Sequence, residues 1–257
     1  MLYVEFSADR DADPDDREQW AKANPSYPKR TSETAILRMR NLLTEDSFRR
    51  EALGIWDENT AQSAIDSEQW DRGEVRDPSL EGRVAYGLDM PPDRGILAIG
   101  AAVRYADDTA LINLQEYRDA RRDGVAWAVD WLAERWPRTC AVVIDAQSPA
   151  MSLLPDLEAR HIRVTVTQTR DLGAATGRTL DMINAGTLKH LDAGEQPQLH
   201  RAAMGATLRD IGPNGMRAWN KKGSDVDISP LQACTLALHG AFTSKRHPGR
   251  KAKAVAL

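Results

Sequence analysis

The chain has 257 residues, enough for one large domain or for one domain with an appended segment. Its net charge of −4 argues against a protein that coats nucleic acid, although a local basic rim remains compatible with it. No apolar stretch approaches the roughly 18 residues of a membrane span, and the N-terminus does not read as a signal peptide. Cys140 and Cys234 lack metal-finger spacing, so buried free thiols in a reducing compartment are expected.

Helical periodicity dominates the first part of the chain. After a turn at Asn24-Pro25, apolar residues recur at helical spacing from Thr31 to Leu43, with Thr31 as the candidate cap. A second helix is predicted from Thr44 to Leu53, and a short element begins near Ile65 and Trp70. Together these patterns predict a helical linker, or the end of a preceding region, over residues 1–78.

Strand patterns begin after a break at Asp77-Pro78. Strands are predicted at 83–89, 96–105 and 110–117, and the turns between them indicate an antiparallel meander. A helix from Val125 to Trp136 then leads to the strand from Ala141 to Asp145. Because that strand is wholly apolar up to its final residue, it is expected to be buried on both faces beside a parallel partner.

The next segment alternates helix and strand. Ser148 and Pro149 predict a helix start, a strand follows from Ile162 to Val166, and a helix follows from Arg170 to Ala185. The order of meander, helix, strand, helix, strand and helix is typical of a ribonuclease H-like α/β fold, in which helices flank a mixed central sheet. This domain is predicted to span residues 79–244.

The last part of the chain predicts a short strand near Leu188, a helix from Leu199 to Ile211, and a hairpin arm from Met216 to Trp219. A final helix begins at Ser229, which is expected to cap it, with Pro230 in the first position and Gln232 completing a capping box. Residues 245–257 read as a basic, flexible tail.

Three aspartates stand at the ends of predicted apolar elements: Asp89, Asp145 and Asp227. In a ribonuclease H-like sheet the first and fourth strands are neighbours, so Asp89 and Asp145 would face one crevice. The last helix would bring Asp227 beside them. Asp225 is a rival for the third position; it is either a fourth carboxylate or a solvated residue.

Carboxylates that meet in this way need cations. Two unit charges about 4 Å apart interact by roughly 4 kcal/mol at an effective dielectric near 20. The cluster therefore predicts two Mg²⁺ or Mn²⁺ ions, which prefer oxygen ligands. Two such ions about 3.5–4 Å apart would activate a water, hold a scissile phosphate and stabilise the leaving oxygen.

A small basic and aromatic patch lies just before the third aspartate. Lys221 and Lys222 follow Trp219, and Arg217 lies on the predicted arm. These cations are candidates for holding DNA phosphates beside the metals. An exposed hairpin tip without function is the equally weighted alternative.

Several segments together resemble the large subunit of phage terminases. The order and spacing of short motifs carry the resemblance, which covers nearly the whole chain: Trp20 to Pro25, Phe48 to Trp56, Ile65 to Trp70, Tyr86 to Asp89, Val142 to Asp145, Thr187 to His190 and Asp227 to Ala233. The resemblance implies that the last of these motifs, with the two that end in Asp89 and Asp145, forms a nuclease site.

The same resemblance implies partners and a location. Terminase large subunits combine an ATPase, which drives DNA into a capsid, with a nuclease that cuts concatemeric double-stranded DNA. Expected partners are double-stranded DNA, the portal protein, the small terminase subunit and an ATPase domain or chain, in the host cytoplasm and without a membrane. This sequence lacks a glycine-rich phosphate loop ending in Gly-Lys-Ser/Thr, so it is expected to be a fragment or a separately encoded nuclease half.

Two alternatives stay open at this point. Another ribonuclease H-like nuclease, of the resolvase or transposase type, would use the same three acids. A non-catalytic module that docks DNA or the portal would not need them.

Overall fold

The computed structural model describes residues 6–9, 12–43, 45–55, 63–212 and 215–248. The chain divides into two compact units, residues 1–62 and 63–257. The predicted boundary after residue 78 stays a prediction, and most of the predicted basic tail lies outside the described residues. Within the described ranges, no helix is both long enough and apolar enough to cross a membrane.

The first unit is helical. It contains α1 (Arg17–Ala23), α2 (Glu33–Leu42) and α3 (Glu45–Leu53), packed around buried apolar side chains that include Trp20 and Phe48. The predicted cap of α2 is wrong by one residue. The Ser32 hydroxyl accepts the Ala35 N–H, whereas the Thr31 hydroxyl hydrogen-bonds with Ser26. Thr44, the other predicted cap, lies outside the described residues.

The second unit is built on a six-stranded mixed sheet with the order β5-β4-β1-β2-β3-β6. The strands are β1 (Arg83–Asp89), β2 (Ile96–Arg104), β3 (Ala110–Asp119), β4 (Ala141–Asp145), β5 (Val164–Thr167) and β6 (Leu188–Lys189). Antiparallel pairing of β1, β2 and β3 confirms the meander, and β4 pairs in parallel with both β1 and β5. Because Leu88 pairs with Ile144, Asp89 and Asp145 lie at the same end of neighbouring strands, as predicted.

Helices cover both faces of this sheet. They are α4 (Ser67–Asp71), α5 (Ala120–Asp123), α6 (Trp127–Arg135), α7 (Leu154–Ala159), α8 (Thr169–Asn184), α9 (Pro197–Met204) and α10 (Ser229–Thr243). One core joins α8, α9 and α10 to the sheet, and a second joins α6 and α7 to its other face. Cys140 and Cys234 are buried free thiols, as expected.

Close approach of α10 to the sheet depends on two glycines. A Cβ on Gly87 would lie 2.2 Å from the Ala233 carbonyl oxygen, and one on Gly100 would lie 2.4 Å from the Cys234 nitrogen. With no side chain at these positions, the first turns of α10 rest directly on β1 and β2. The start of the helix is thereby brought to the end of the sheet that carries Asp89.

The predicted helix from Leu199 to Ile211 is wrong in its second half. Helix α9 ends at Met204, and residues Leu208–Ile211 form β7, which pairs with β8 (Met216–Trp219). Gly205 ends the helix against the side chain of Val226. Cross-strand pairing then overrides the helical propensity of this segment.

Candidate functional site

Asp89 ends β1 with a fully buried side chain, 0% exposed. Its Oδ1 accepts hydrogen bonds from the Ser148 hydroxyl at 2.8 Å and from the Lys221 ammonium at 2.7 Å. Its Oδ2 is buried and has no hydrogen-bond partner among the described residues. A buried carboxylate oxygen without a donor is costly, so this atom marks an incomplete site.

The Lys221 ammonium lies over Asp89 and donates a second hydrogen bond to the Met90 carbonyl oxygen at 2.8 Å. Its side chain is 21% exposed. The alternative of an exposed hairpin tip is therefore wrong for Lys221. The chain turns between β7 and β8, and Lys221 follows the far end of β8, so the cation faces the aspartates.

Asp145 ends β4, beside Asp89, and is 8% exposed. The Thr167 hydroxyl, on β5, donates to its Oδ1 at 3.4 Å. Burial raises the pKa of Asp145, whereas the charge of Lys221, the Gln147 amide and Thr167 lower it. Of the two neighbouring aspartates, Asp145 is therefore the more exposed and Asp89 the fully buried one.

The two carboxylates act on each other. Burial raises the pKa of Asp89, the ammonium of Lys221 and the hydroxyl of Ser148 oppose that rise, and the charge of Asp145 adds to it. One ammonium therefore offsets the charges of both aspartates. Arg209 adds a smaller effect of the same sign at Asp145. Two buried acids that share one main cation form a site that a further positive charge would stabilise.

Asp227 has a different environment. Its Oδ1 accepts from the Ser229 amide at 2.9 Å and the Ser229 hydroxyl at 2.7 Å, and its Oδ2 accepts from the Tyr117 hydroxyl at 3.0 Å. Burial and the charge of Asp227 raise the pKa of Tyr117 to about 12. The predicted cap of α10 is therefore wrong: Ile228 occupies the N-cap position, and Ser229 donates to Asp227 rather than accepting from the helix.

The three aspartates do not meet at one point in the described structure. Within the described ranges, no group of three or more His, Cys, Asp or Glu side chains is placed to hold a metal ion. Asp227 instead lines a separate depression of about 360 Å³ with Tyr117, Arg201 and the exposed Asp225. The separation has a physical reason, because both Asp227 oxygens are already bound by Ser229 and Tyr117. The role of Asp227 as a ligand stays a prediction.

A cleft of about 500 Å³ opens beside Asp145. Its lining includes Lys221 and Lys222, together with Arg209 and Gln232, and the role of the two lysines as DNA contacts stays a prediction. Gln232 is 2% exposed, and its Nε2 has no hydrogen-bond partner among the described residues. Its predicted role in a capping box is therefore wrong, since the amide faces the cleft and not the helix start.

The sequence analysis did not identify Arg209 or Gln232 as residues of the site, for two different reasons. Arg209 falls in the segment predicted as helix, and only its place on β7 brings it to the cleft. Gln232 matched a capping pattern that accounted for it locally. Arg217, a predicted DNA contact, is exposed and pairs with Asp210 at 3.3 Å across the β7–β8 hairpin; it is not among the residues that line the cleft.

Comparisons with solved structures find the same architecture in large terminases of bacteriophages. The HK97 bacteriophage large terminase matches with a TM-score of 0.53 and 18% identity, over 91% of this chain. The large terminase nuclease of thermophilic phage G20c, solved with bound magnesium, matches with a TM-score of 0.50 and 11% identity; the match covers 68% of this chain and 96% of that one. The chain has the large-terminase nuclease fold.

The terminase fold confirms the predicted ribonuclease H-like arrangement of a mixed sheet flanked by helices. The large terminase of a further thermophilic bacteriophage matches over 80% of this chain with a TM-score of 0.50 and 12% identity. The chain spans 56% of the HK97 large terminase and 52% of this further terminase, about half of each. No protein-family model and no curated relative matches the sequence.

Proposed function

We propose that this chain is the nuclease part of a terminase large subunit, a divalent-metal-dependent endonuclease that cuts concatemeric double-stranded viral DNA during packaging. One observation carries the proposal. Asp89 and Asp145 end neighbouring parallel strands, and the partly exposed ammonium of Lys221 offsets both charges. The fold shared with large-terminase nucleases supports the same reading.

The residues fit a hard divalent cation. Asp89 and Asp145 supply carboxylate oxygens, the ligands that Mg²⁺ and Mn²⁺ prefer, and Asp89 Oδ2 is buried without a donor. The Lys221 ammonium supplies a positive charge 2.7 Å from Asp89 Oδ1, where a bound cation would also be stabilised. The G20c nuclease was solved with bound magnesium. Bound metal would activate a water and stabilise charge on the phosphate, and no nucleophilic side chain would be needed.

Two ions would need a third carboxylate, and Asp227 is the proposed one. In this structure its oxygens are bound by Tyr117 and Ser229. We therefore assign the first ion to Asp89 and Asp145, and propose that a second ion recruits Asp227 from Tyr117. Asp225 is exposed and is the weaker candidate.

Protein cations complete the proposed site. Lys222 and Arg209 line the cleft and would bind phosphate oxygens of the DNA. Gln232 also lines the cleft, and a small movement of its side chain would let its unpaired, buried amide donate to substrate. The portal protein, the small terminase subunit and an ATPase domain or chain are the proposed partners.

The direct test is plasmid cutting in Mn²⁺ by the wild type, Asp145→Asn and the control Asp156→Asn. Asp156 is exposed on α7, so its replacement removes the same charge outside the site. We expect the wild type and the control to nick and linearise the plasmid, and Asp145→Asn to leave it intact. Equal cutting by Asp145→Asn would contradict the assignment.

A non-catalytic module that docks DNA or the portal is the second candidate. The separation of Asp227 from the other two aspartates is the observation that favours it. Absence of cutting in every divalent ion, with DNA binding retained, would establish this candidate instead. Cutting that required a DNA junction or a terminal sequence would favour a resolvase or transposase.

A further inference from the structure

A second and larger cavity, of about 890 Å³, opens at the opposite end of the sheet from the cleft. Ala141, the first residue of β4, lines it, whereas Asp145 ends the same strand. At about 3.3 Å per residue, the two positions are about 13 Å apart along the strand. The cavity is therefore a separate site within reach of the same nucleic-acid duplex.

The cavity is strongly basic. Arg163, Lys245 and Arg246 line it, and Asp171 is the only carboxylate among its lining residues in the described part of the chain. Asp171 is already engaged, because it accepts the Gln168 amide at 3.1 Å. The lining therefore carries an excess of positive charge.

Arg246 is fixed in place while the other two cations are free. Its guanidinium stacks 3.9 Å from the Trp136 ring centroid and donates to the carbonyl oxygens of Trp136 and Thr139. Arg163 and Lys245 are exposed and have no hydrogen bond or ion pair to the described residues. Two cations without structural partners, in a cavity that already holds a fixed third one, are available to bind an anion.

Strand β5 links this cavity to the cleft. Arg163 precedes β5, and alternate residues of a strand face the same side, so Arg163, Thr165 and Thr167 share one face. Arg163 and Thr165 line the cavity, and Thr167 donates to Asp145. Because β5 is the last strand at this side of the described sheet, a duplex that occupied both sites would run past this edge of the sheet.

We propose that the basic cavity binds the phosphate backbone of the DNA duplex whose other part lies in the cleft. The inference rests on the proposed nuclease function. A duplex carries regularly spaced phosphates that Arg and Lys bind without regard to sequence, and the cavity is larger than one phosphate needs. Further cations follow Arg246 in the sequence: Arg250, Lys251 and Lys253.

The test measures binding of a fluorescent duplex by anisotropy in EDTA, so that no DNA is cut. The variant is Arg163→Ala with Lys245→Ala. The control is Arg76→Ala with Arg122→Ala, which removes the same charge at exposed positions that do not line the cavity or the cleft. We expect the variant to raise the Kd about tenfold, and to reduce the salt slope by about two, while the control changes neither by as much.

A second variant separates charge from side-chain shape. Arg163→Lys with Lys245→Arg keeps both charges and is expected to bind with nearly the wild-type salt slope. A Kd and a slope for the alanine pair equal to those of the control would overturn the proposal, provided that the melting temperatures agree. Plasmid cutting by the wild type in Mn²⁺ distinguishes failure of this proposal from failure of the nuclease assignment. If the wild type cuts and the alanine pair binds DNA as the control does, the cavity proposal alone is refuted. If the alanine pair loses binding and the wild type does not cut, the nuclease assignment alone is refuted.

Discussion

Two regions of the second unit hold acids in opposite ways. Asp89 is fully buried, has one oxygen without a partner among the described residues, and shares the Lys221 ammonium with Asp145. Asp227 is partly exposed, and its two oxygens accept three hydrogen bonds from Ser229 and Tyr117. Burial without a full set of hydrogen bonds makes the Asp89 carboxylate destabilising for the fold, whereas both oxygens of Asp227 have hydrogen-bond donors.

The difference indicates where a cation belongs. A satisfied carboxylate at the start of a helix stabilises the fold without any ligand. A buried carboxylate with a raised pKa and an unpaired oxygen persists because something else requires it. Burial and hydrogen-bond satisfaction therefore separate the proposed metal site from a structural acid, although both are aspartates that adjoin apolar elements.

Asp89→Asn should give the largest effect. The change removes the charge that a cation would bind, so cutting in Mn²⁺ should fall by about a thousandfold, the upper range for loss of one preorganised electrostatic group. Initial rates of plasmid nicking measure it, with Asp156→Asn as the control. A rate within a few fold of wild type would contradict the assignment of Asp89 as a metal ligand.

Asp227→Asn tests whether the hydrogen-bonded aspartate also binds a metal ion. If a second ion recruits Asp227, cutting should fall by about tenfold at low Mn²⁺ and recover at high Mn²⁺, because affinity is lost and not chemistry. Asp89→Asn should show no such recovery. Wild-type cutting by Asp227→Asn at every Mn²⁺ concentration, with a loss of about 1 kcal/mol in stability, would leave Asp227 with only a structural role through its hydrogen bonds to Ser229 and Tyr117.

Lys221→Met removes the shared ammonium, which is the main counter-charge of both aspartates. Urea unfolding in EDTA should show a stability lower by about 2–3 kcal/mol, somewhat below the usual loss for a broken buried ion pair because Lys221 is partly exposed. Mn²⁺ should then stabilise the variant more than it stabilises the wild type. Equal gains from Mn²⁺ in both proteins would show that the ammonium and the ion do not compete for the same carboxylates.

The pH dependence follows from the raised pKa values of Asp89 and Asp145. As pH rises above about 3.9, the unfolded chain loses these protons first, so the metal-free fold loses stability until the folded groups have also ionised. Mn²⁺ needs ionised ligands, so its stabilising effect should grow over the same range by a few degrees in Tm. Melting curves at several pH values test both trends: Tm in EDTA should fall as pH rises, and the gain in Tm from Mn²⁺ should increase. Parallel curves at all pH values would contradict this prediction.

The smallest expected effect concerns the exposed cations. Lys222 lines the cleft, whereas Arg217 pairs with Asp210 on the hairpin. Lys222→Ala should weaken duplex binding a few fold and lower the salt slope by about one, and Arg217→Ala should leave both nearly unchanged. Anisotropy titrations at several salt concentrations measure the difference. A larger effect for Arg217→Ala would restore it as a DNA contact.

Local pattern predicted much of the sheet. β1 and β4 begin and end where their apolar runs do, and the parallel pairing of the two follows from the lack of alternation in β4. The pair Asp89 and Asp145 could be predicted for the same reason, since both close those strands. The helix predicted through Ile211 failed because pairing of β7 with β8 joins residues across a turn, which periodicity within one segment does not register.

The remainder of the site depends on contacts between distant residues. Lys221 reaches Asp89 across 132 positions of the chain, and Tyr117 reaches Asp227 across 110. Sequence identified all of these acids as candidates, but nothing local distinguishes an acid that shares an ammonium from one whose oxygens are bound by Tyr117 and Ser229. Gln232 shows the same limit, because its capping pattern is present and its side chain nevertheless faces the cleft.

The most direct test is a crystal grown with Mn²⁺ and examined by anomalous scattering. The account predicts a peak at about 2.1–2.2 Å from carboxylate oxygens of both Asp89 and Asp145, with the Lys221 ammonium moved off Asp89 Oδ1. Density without a peak between these two residues, with Lys221 still hydrogen-bonded to Asp89 at millimolar Mn²⁺, would contradict it.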